Sequence, residues 1–324
     1  MTIRIGILGA AKIAPAVVIN PSRDNADFEV VAVAARDPAR AAEYAAKHAI
    51  AHVAKDYDAL VRYAVVDLVY NALPPAGHAR WTIAALDAGK AVLCEKPFAM
   101  NAAQVRTMND AAMRTGKKLV EAFHYRHHVV MQRAVAIARS GELGKIQSVD
   151  ATFDAAIPYR EGELRWTREQ GGGALMDLGC YPTHALRSLM GSEPNVLSAT
   201  CQMEHGVDVT TKAALDFAGV PATLATTMRA EKFAAALTLR GEHGTLEILN
   251  YLAPQIGCRF TVTVGGKTRE EPTAGPGTYV AQLTELGDVL LRGKQQLITN
   301  ADSLGNMSAI DAIYAKAGLE RNFA

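Results

Sequence analysis

The sequence predicts an α/β chain in two parts. The first is a doubly wound parallel sheet; the second is an α+β half on an open-faced, mostly antiparallel sheet with helices on one face. Three observations carry this. Over residues 1–122, short apolar β-rich runs alternate with helix-like stretches, the pattern of a parallel sheet covered on both faces. From residue 123 to 324 the pattern changes to period-two segments separated by glycine and polar turns. A length of 324 residues also exceeds one ordinary core and favours two domains.

In order, the first strands read "IRIGIL" (3–8), "FEVVAVAA" (28–35), "LVYNAL" (68–73), "AVLCEK" (91–96) and "KLVEAF" (118–123). Helical stretches lie between them at 38–48, 78–90 and 101–117, and the last two end in Gly-Lys, a usual helix stop. A helix over 129–144 opens the second half. Strands are expected at 145–155, 196–203, 210–218, 222–230, 234–249 and 259–266, and closing helices at 279–294 and 301–319. The stretch 174–190 is the one strongly helical segment among those strands.

Composition narrows the function. With 49% hydrophobic and 21% charged residues the chain reads as soluble and globular. A net charge of +1 gives no bias toward nucleic acid or an anionic membrane. Cys94, Cys180, Cys201 and Cys258 form no CxxC pair, which fits reduced thiols in a cytoplasmic protein. The opening "MTIRIGIL" is a strand pattern rather than an export leader, and no apolar run is long enough to span a membrane.

The turn after the first strand, "GILGAAKIAP", approaches the G-x-G-x-x-G form with Ala11 and Ala14 in the second and third glycine positions. Gly9 allows the tight turn, and Ala14 is small enough for close helix–strand packing. Ala11 adds one methyl near the phosphates. Gly9, Ala11, Lys12 and Ile13 are therefore candidate contacts for a dinucleotide. By itself such a turn also suits any tight strand-to-helix junction. The second strand ends "AVAARDP", with no carboxylate where NAD-binding chains place one for the ribose hydroxyls. Arg36 follows instead, and a guanidinium suits a 2′-phosphate. Asp37 lies one step later and faces the Pro38 turn. NADP is expected over NAD.

Two segments carry proton chemistry. "CEKPFAM" (94–100) ends a strand at the sheet edge where ligands collect, with Lys96 able to hold a substrate hydroxyl or relay a proton. Glu95 alternates to the other face, toward a helix or the cofactor. In "GGGALMDLGCYPTHALRSLMG" (171–191), Asp177, Tyr181 and His184 stand at i, i+4 and i+7 on one helix face, with Pro182 predicting a kink. Singly, Tyr181 reads as an ordinary half-buried tyrosine and Asp177 as a cap or salt-bridge partner. Alongside Lys96 they read as a catalytic set.

These segments, with "ALPPAGHARWTIAALDAGKAVLCEKP" and "EAFHYRHH", resemble the Gfo/Idh/MocA oxidoreductases along essentially the whole chain. The branch resembled is that of glucose–fructose oxidoreductase and dimeric dihydrodiol dehydrogenase. The resemblance implies an N-terminal Rossmann domain, a C-terminal open-faced sheet domain, and hydride exchange between a nicotinamide and a sugar-like carbinol. It places the catalytic lysine on Lys96, the helix aspartate on Asp177, and the proton carrier on Tyr181, where inositol dehydrogenase-type members use histidine. It also places cofactor contacts on Leu73, Pro74 and the loop histidine His78.

Tyr125, Arg126, Arg165 and Trp166 are candidates for the mouth of a substrate pocket. His124, His127 and His128 have no carboxylate or cysteine completing a metal set, so no metal is expected. The expected partners are a small polyol or sugar-like substrate and a second copy of the chain. Apolar residues alternating in "ATLATTMRA" and "AAALTLRG" are read as an exposed sheet face that pairs in a homodimer or higher oligomer. The rival functions are a non-catalytic, NADP-sensing regulator, in which the lysine or acid–base residue is expected to be lost, and a structural scaffold.

Overall fold

β1 (Ile3–Leu8) is buried along nearly its whole length, as a central strand covered on both faces must be. The computed structural model describes residues 2–319. It sets β1 in a six-stranded parallel sheet with β2 (Phe28–Ala34), β3 (His52–Val53), β4 (Leu68–Asn71), β5 (Ala91–Cys94) and β6 (Leu119–Glu121). The order β3-β2-β1-β4-β5-β6 is that of a Rossmann sheet, whose ligand crevice opens between β1 and β4. After β1 comes a π-helical turn, Pro15–Ile19, that continues into α1 (Asn20–Arg23). Pro21 has no N–H to close the usual bond back to Val17, which favours the wider turn.

α2 (Pro38–His48) has the expected bounds for local reasons. The Asp37 carboxylate caps it by accepting the Ala39 N–H at 2.9 Å, Pro38 opens it, and left-handed Ala49 ends it. α3 (Tyr57–Arg62), α4 (Pro75–Asp87) and α5 (Ala102–Thr115) follow the later strands. β3 and α3 were not read from sequence; two and six residues are too few to show a period.

In the second half, α6 (Val129–Ser140) precedes β7 (Ile146–Ala156). A second π-helical turn, Leu175–Gly179, leads into α7 (Cys180–Met190), and Pro182 again removes a backbone donor. The remaining strands are β8 (Asn195–Glu204), β9 (Val207–Phe217), β10 (Val220–Thr227), β11 (Arg229–Gly241), β12 (Gly244–Leu249), β13 (Arg259–Val264) and β14 (Lys267–Glu270). They form an eight-stranded sheet ordered β14-β13-β12-β11-β7-β10-β9-β8, antiparallel except where β10 meets β7. α7 packs on β7 and β10, and α6 packs on α7.

Three expectations are corrected. The stretch 234–249 is two strands, because the chain reverses between Gly241 and Gly244. The alternating leucines and alanines of β10 and β11 do not face outward. Ala222, Leu224, Ala235, Leu237 and Leu239 are buried, and the opposite face shows Asp150, Thr152, Lys212, Thr223 and Arg240. Period two says that faces differ, not which one is covered. The third concerns the division at 122/123. Residues 2–124 pack as one unit with Tyr279–Leu304, and Tyr125–Thr278 pack as another with residues 305–319. α8 (Thr278–Leu291) returns to the first unit because Leu283 and Leu286 join the core of Ile5 and Phe28. α9 (Asn300–Lys316) closes the described chain, and no described helix is long and apolar enough to cross a membrane.

Candidate functional site

In the first unit the turn after β1 is built for close approach. Gly9 has φ +94°, and a Cβ there would stand 3.3 Å from the Ala72 carbonyl oxygen and from the Leu73 side chain. Its N–H donates to the Ala34 carbonyl at 2.8 Å, tying the turn to β2. Ala11 keeps a negative φ, so the alanine is compatible with the turn. Lys12 and Ile13 are exposed on it, and no backbone acceptor among the described residues takes the N–H groups of Ala11, Lys12 or Ile13. Two side chains of α2 hold the outer carbonyls. Arg40 Nη2 donates to Ala10 O at 2.9 Å, and the Tyr44 hydroxyl donates to Ala11 O at 2.9 Å. Burial pushes the Tyr44 phenol up to about 12 despite Arg40, so it stays a donor.

Arg36 is exposed just beyond β2. Tyr57, whose phenol is raised by burial, has that shift opposed by a hydrogen bond to the Arg36 backbone and by the charges of Arg36 and Arg40. Both guanidinium groups therefore stand in the field of one ring at the end of β2.

At the end of β5, Glu95 accepts the Tyr70 hydroxyl at 2.6 Å and the Lys96 N–H at 3.2 Å. The Tyr70 phenol is held well above its ordinary value by burial first and by Glu95 second. Tyr279, at the start of α8, is pushed up to about 12 by burial and Glu95, with Lys96 opposing. Its ring lies 4.2 Å from that of His124. Half-buried Lys96 thus follows a carboxylate that accepts from the Tyr70 phenol, and its charge is felt by the Tyr279 phenol.

His78 is fully buried. Its Nε2 lies 2.7 Å from the Leu73 carbonyl and its Nδ1 3.0 Å from the Pro97 carbonyl, which braces the β4–α4 and β5–α5 loops together. Burial lowers its pKa to about 4, so at neutral pH the ring has one N–H for two carbonyls. Leu73 and Pro74 shape the same loop, with Pro74 O accepting the Gly77 N–H at 2.8 Å. Asn71 reinforces it by donating to His78 O at 3.2 Å and Thr82 Oγ1 at 3.1 Å.

In the second unit, the glycines before α7 have steric causes. A Cβ on Gly172 would come within 2.7 Å of the carbonyl oxygens of Leu164 and Arg165, and Gly173, at φ +118°, has Asp208 Oδ1 where its Cβ would go. Buried Asp208 accepts from the Leu175 N–H at 2.8 Å, from Thr211 Oγ1 at 2.8 Å and from the Tyr314 hydroxyl at 2.7 Å. This carboxylate fixes the start of the helix. Two residues on, Asp177 Oδ2 accepts Arg165 Nε at 2.6 Å, and Arg165 is braced by Glu163 at 2.8 Å. Asp177 is the main reason that the Arg165 guanidinium is raised above its ordinary value.

Tyr181 is 7% exposed, with its ring edge-on to Tyr125 at 5.7 Å and to Phe153 at 5.6 Å. His184, fully buried, meets the Tyr125 hydroxyl through Nδ1 at 2.7 Å. Trp166 is buried, donates Nε1 to Pro158 O at 3.1 Å and lies under Arg229 at 4.8 Å, so it packs its own loop. Arg126 is half-buried after His124. His128 caps α6 by accepting the Val130 N–H at 3.3 Å. The described residues hold no group of three His, Cys, Asp or Glu side chains able to bind a metal.

Residues 3–123 match the model of the oxidoreductase family with an NAD-binding Rossmann fold, and residues 131–247 match the GFO/IDH/MocA C-terminal domain. A D-xylose 1-dehydrogenase (NADP(+)) of Haloferax volcanii is 30% identical over 316 residues, 96% of each chain. The chain belongs to the Gfo/Idh/MocA oxidoreductase family. It is an NAD(P)-binding oxidoreductase by family, and its turn and sheet order fit a dinucleotide-binding fold. It is also similar to the trans-1,2-dihydrobenzene-1,2-diol dehydrogenase of Sus scrofa, 32% identical over 78% of this chain and 74% of that one. Among solved structures, a 3-ketoreductase of Actinomadura kijaniata in complex with NADP and TDP-benzene superposes with a TM-score of 0.89 at 27% identity, covering 98% of both chains.

Within the first unit, then, Gly9, Ala11, Leu73, His78, Glu95 and Lys96 gather at the carboxyl edge of the sheet. Within the second, Arg165, Asp177 and Tyr181 gather at the start of α7. Sequence reasoning missed Arg40, Tyr44, Tyr70, Tyr279 and Asp208. The i, i+4 pair Arg40–Tyr44 on a helix just past the phosphate turn was the one available signal.

Proposed function

We propose that this protein transfers hydride between NADP and a secondary alcohol or carbonyl of a sugar, a sugar derivative or a vicinal diol. The observation that carries the reading is the retained proton-active set: Lys96 directly after β5, anchored beside Glu95, and Tyr181 on the helix that presents Asp177. Bound nicotinamide would supply the hydride donor or acceptor. Gly9, the amides of residues 11–13 and the loop of Leu73 and Pro74 would hold the dinucleotide, and Arg36 with Arg40 would receive a 2′-phosphate. The absence of a carboxylate at the end of β2 removes repulsion against that phosphate.

A carbinol carbon gives up hydride only as its hydroxyl loses a proton, so a base is needed. We assign that base to Tyr181. A free phenol ionises near pH ~10, and a neighbouring ammonium is what would favour its phenolate. Asp177, held by Arg165, orders the helix turn that precedes Tyr181. The activities of the relatives, on D-xylose and on a dihydrodiol, support a polyhydroxylated substrate.

The test is a panel of sugars, anhydrosugars, inositols and aromatic trans-diols, followed by nicotinamide absorbance with NADP and with NAD. Turnover of one class with NADP preferred is expected. Tight NADP binding with no turnover of any would turn the reading to an NADP-sensing regulator. We also expect a homodimer formed through the open face of the second sheet, the face that shows Asp150, Thr152, Lys212, Thr223 and Arg240. A monomer in sedimentation at micromolar concentration would remove that expectation.

A further inference from the structure

We propose that Tyr44 is a positioning residue of the dinucleotide site, fixing from outside the phosphate turn that a second glycine would otherwise adapt. This rests on the turn being the dinucleotide site. The turn has alanine at position 11, whose Cβ narrows the backbone conformations open to it. Its peptide planes must still aim the N–H groups of residues 11–13 at the pyrophosphate. The direction of an N–H is set by the carbonyl on the other side of the same rigid peptide. Ala10 O belongs to the peptide whose N–H is that of Ala11, and Ala11 O belongs to the peptide whose N–H is that of Lys12. Those are the two carbonyls that α2 holds, Ala10 O by Arg40 Nη2 and Ala11 O by the Tyr44 hydroxyl, each at 2.9 Å.

The Tyr44 ring is itself seated. It packs on the small cluster of Ala10, Ala35 and Ala41, which joins the turn, the end of β2 and α2, and it lies 4.5 Å from the His48 ring. A phenol fixed at its ring places its hydroxyl without the rotamer cost of a longer polar side chain. Arg40 also has its exposed guanidinium at the end of β2, whereas the Tyr44 hydroxyl bonds the turn at Ala11 O alone, a carbonyl that also accepts the Ala14 N–H at 3.3 Å.

The test compares binding of NADPH, NADH and 2′-AMP by wild type, Tyr44→Phe and Arg36→Ala, with thermal midpoints as a control. Phenylalanine keeps the ring and its packing and deletes the hydroxyl. Tyr44→Phe is expected to raise Kd for NADPH and NADH by one common factor of about 3–10, the worth of one hydrogen bond. It should leave 2′-AMP, which has no pyrophosphate, unchanged. Arg36→Ala should give the mirror pattern, with NADPH and 2′-AMP weakened and NADH spared. Unchanged binding of all three by Tyr44→Phe overturns the proposal. So does a proportionate loss of all three with a lowered midpoint, since that is general loosening. A wild type that binds neither NADPH nor NADH overturns the dinucleotide reading and the proposal with it.

Discussion

Two helices of this protein open in the same way and are secured by opposite means. Each starts at a tight turn, widens into a π-helical turn and passes through a proline, in Pro15–Arg23 and in Leu175–Met190. The first follows Gly9 and two alanines and is held by neighbouring side chains that bond its carbonyls. The second follows three consecutive glycines and is held by a buried carboxylate that bonds its leading N–H. Where glycine is present the backbone moves in against its neighbours, and a side chain has no room. Where alanine stands, the backbone is ordinary and the neighbours supply the precision.

That contrast ranks what should break each region. The largest effect is expected from Gly173→Ala. Its Cβ would enter the space of Asp208 Oδ1 at a φ that disfavours any side chain, so the helix start and the buried carboxylate cannot both persist. A loss of about 4 kcal/mol or more is expected in urea unfolding. By contrast, Ala11→Gly should cost only about 1 kcal/mol or less. Comparable losses at the two positions would erase the distinction.

Next in size is the chemistry on the second helix. Tyr181→Phe keeps the ring against Tyr125 and Phe153 and is expected to lower turnover by about 10²–10⁴-fold while NADPH binding is unaltered. Lys96→Ala should be at least as damaging. Near-normal turnover in Tyr181→Phe beside a dead Lys96→Ala would make the lysine the proton carrier and leave the tyrosine as a wall.

The loop brace of the first unit offers a pH handle. His78 has its pKa lowered by burial from 6.5 to about 4, so the unfolded chain binds a proton in this range that the folded chain refuses. Stability therefore falls as pH drops from about 6.5 to about 4, by ~3 kcal/mol, and this contribution changes no further below that. Urea midpoints for wild type and His78→Asn across that window read it. An equal slope in both would assign the acid sensitivity elsewhere. The smallest effect is expected from exposed Arg36→Ala, about 10-fold in Kd for NADPH with NADH nearly unmoved. Equal losses for both cofactors would show that Arg36 does not read the phosphate.

Local chemistry wrote much of the fold into the chain. Continuous apolar runs between helical stretches marked the parallel sheet, and Asp37-Pro38 marked the start of α2. The edge position of Lys96, the helix of Asp177 and Tyr181, and the missing carboxylate before Arg36 were legible because each depends on near neighbours in sequence. The return of α8 to the first core was not, since Leu283 and Leu286 are equally apolar whichever half they join. Nor was the covered face of β10 and β11, because period two is symmetric between faces. Tyr44, Tyr70 and Asp208 stayed silent for the same reason. A hydroxyl or carboxylate gains its meaning from the group it meets, and their partners at Ala11, Glu95 and Leu175 are 33, 25 and 33 residues away. The sequence alone nominated the residues proposed to carry the chemistry. Only tertiary structure decided which residues hold them in place, because positioning is a property of contacts between segments distant along the chain.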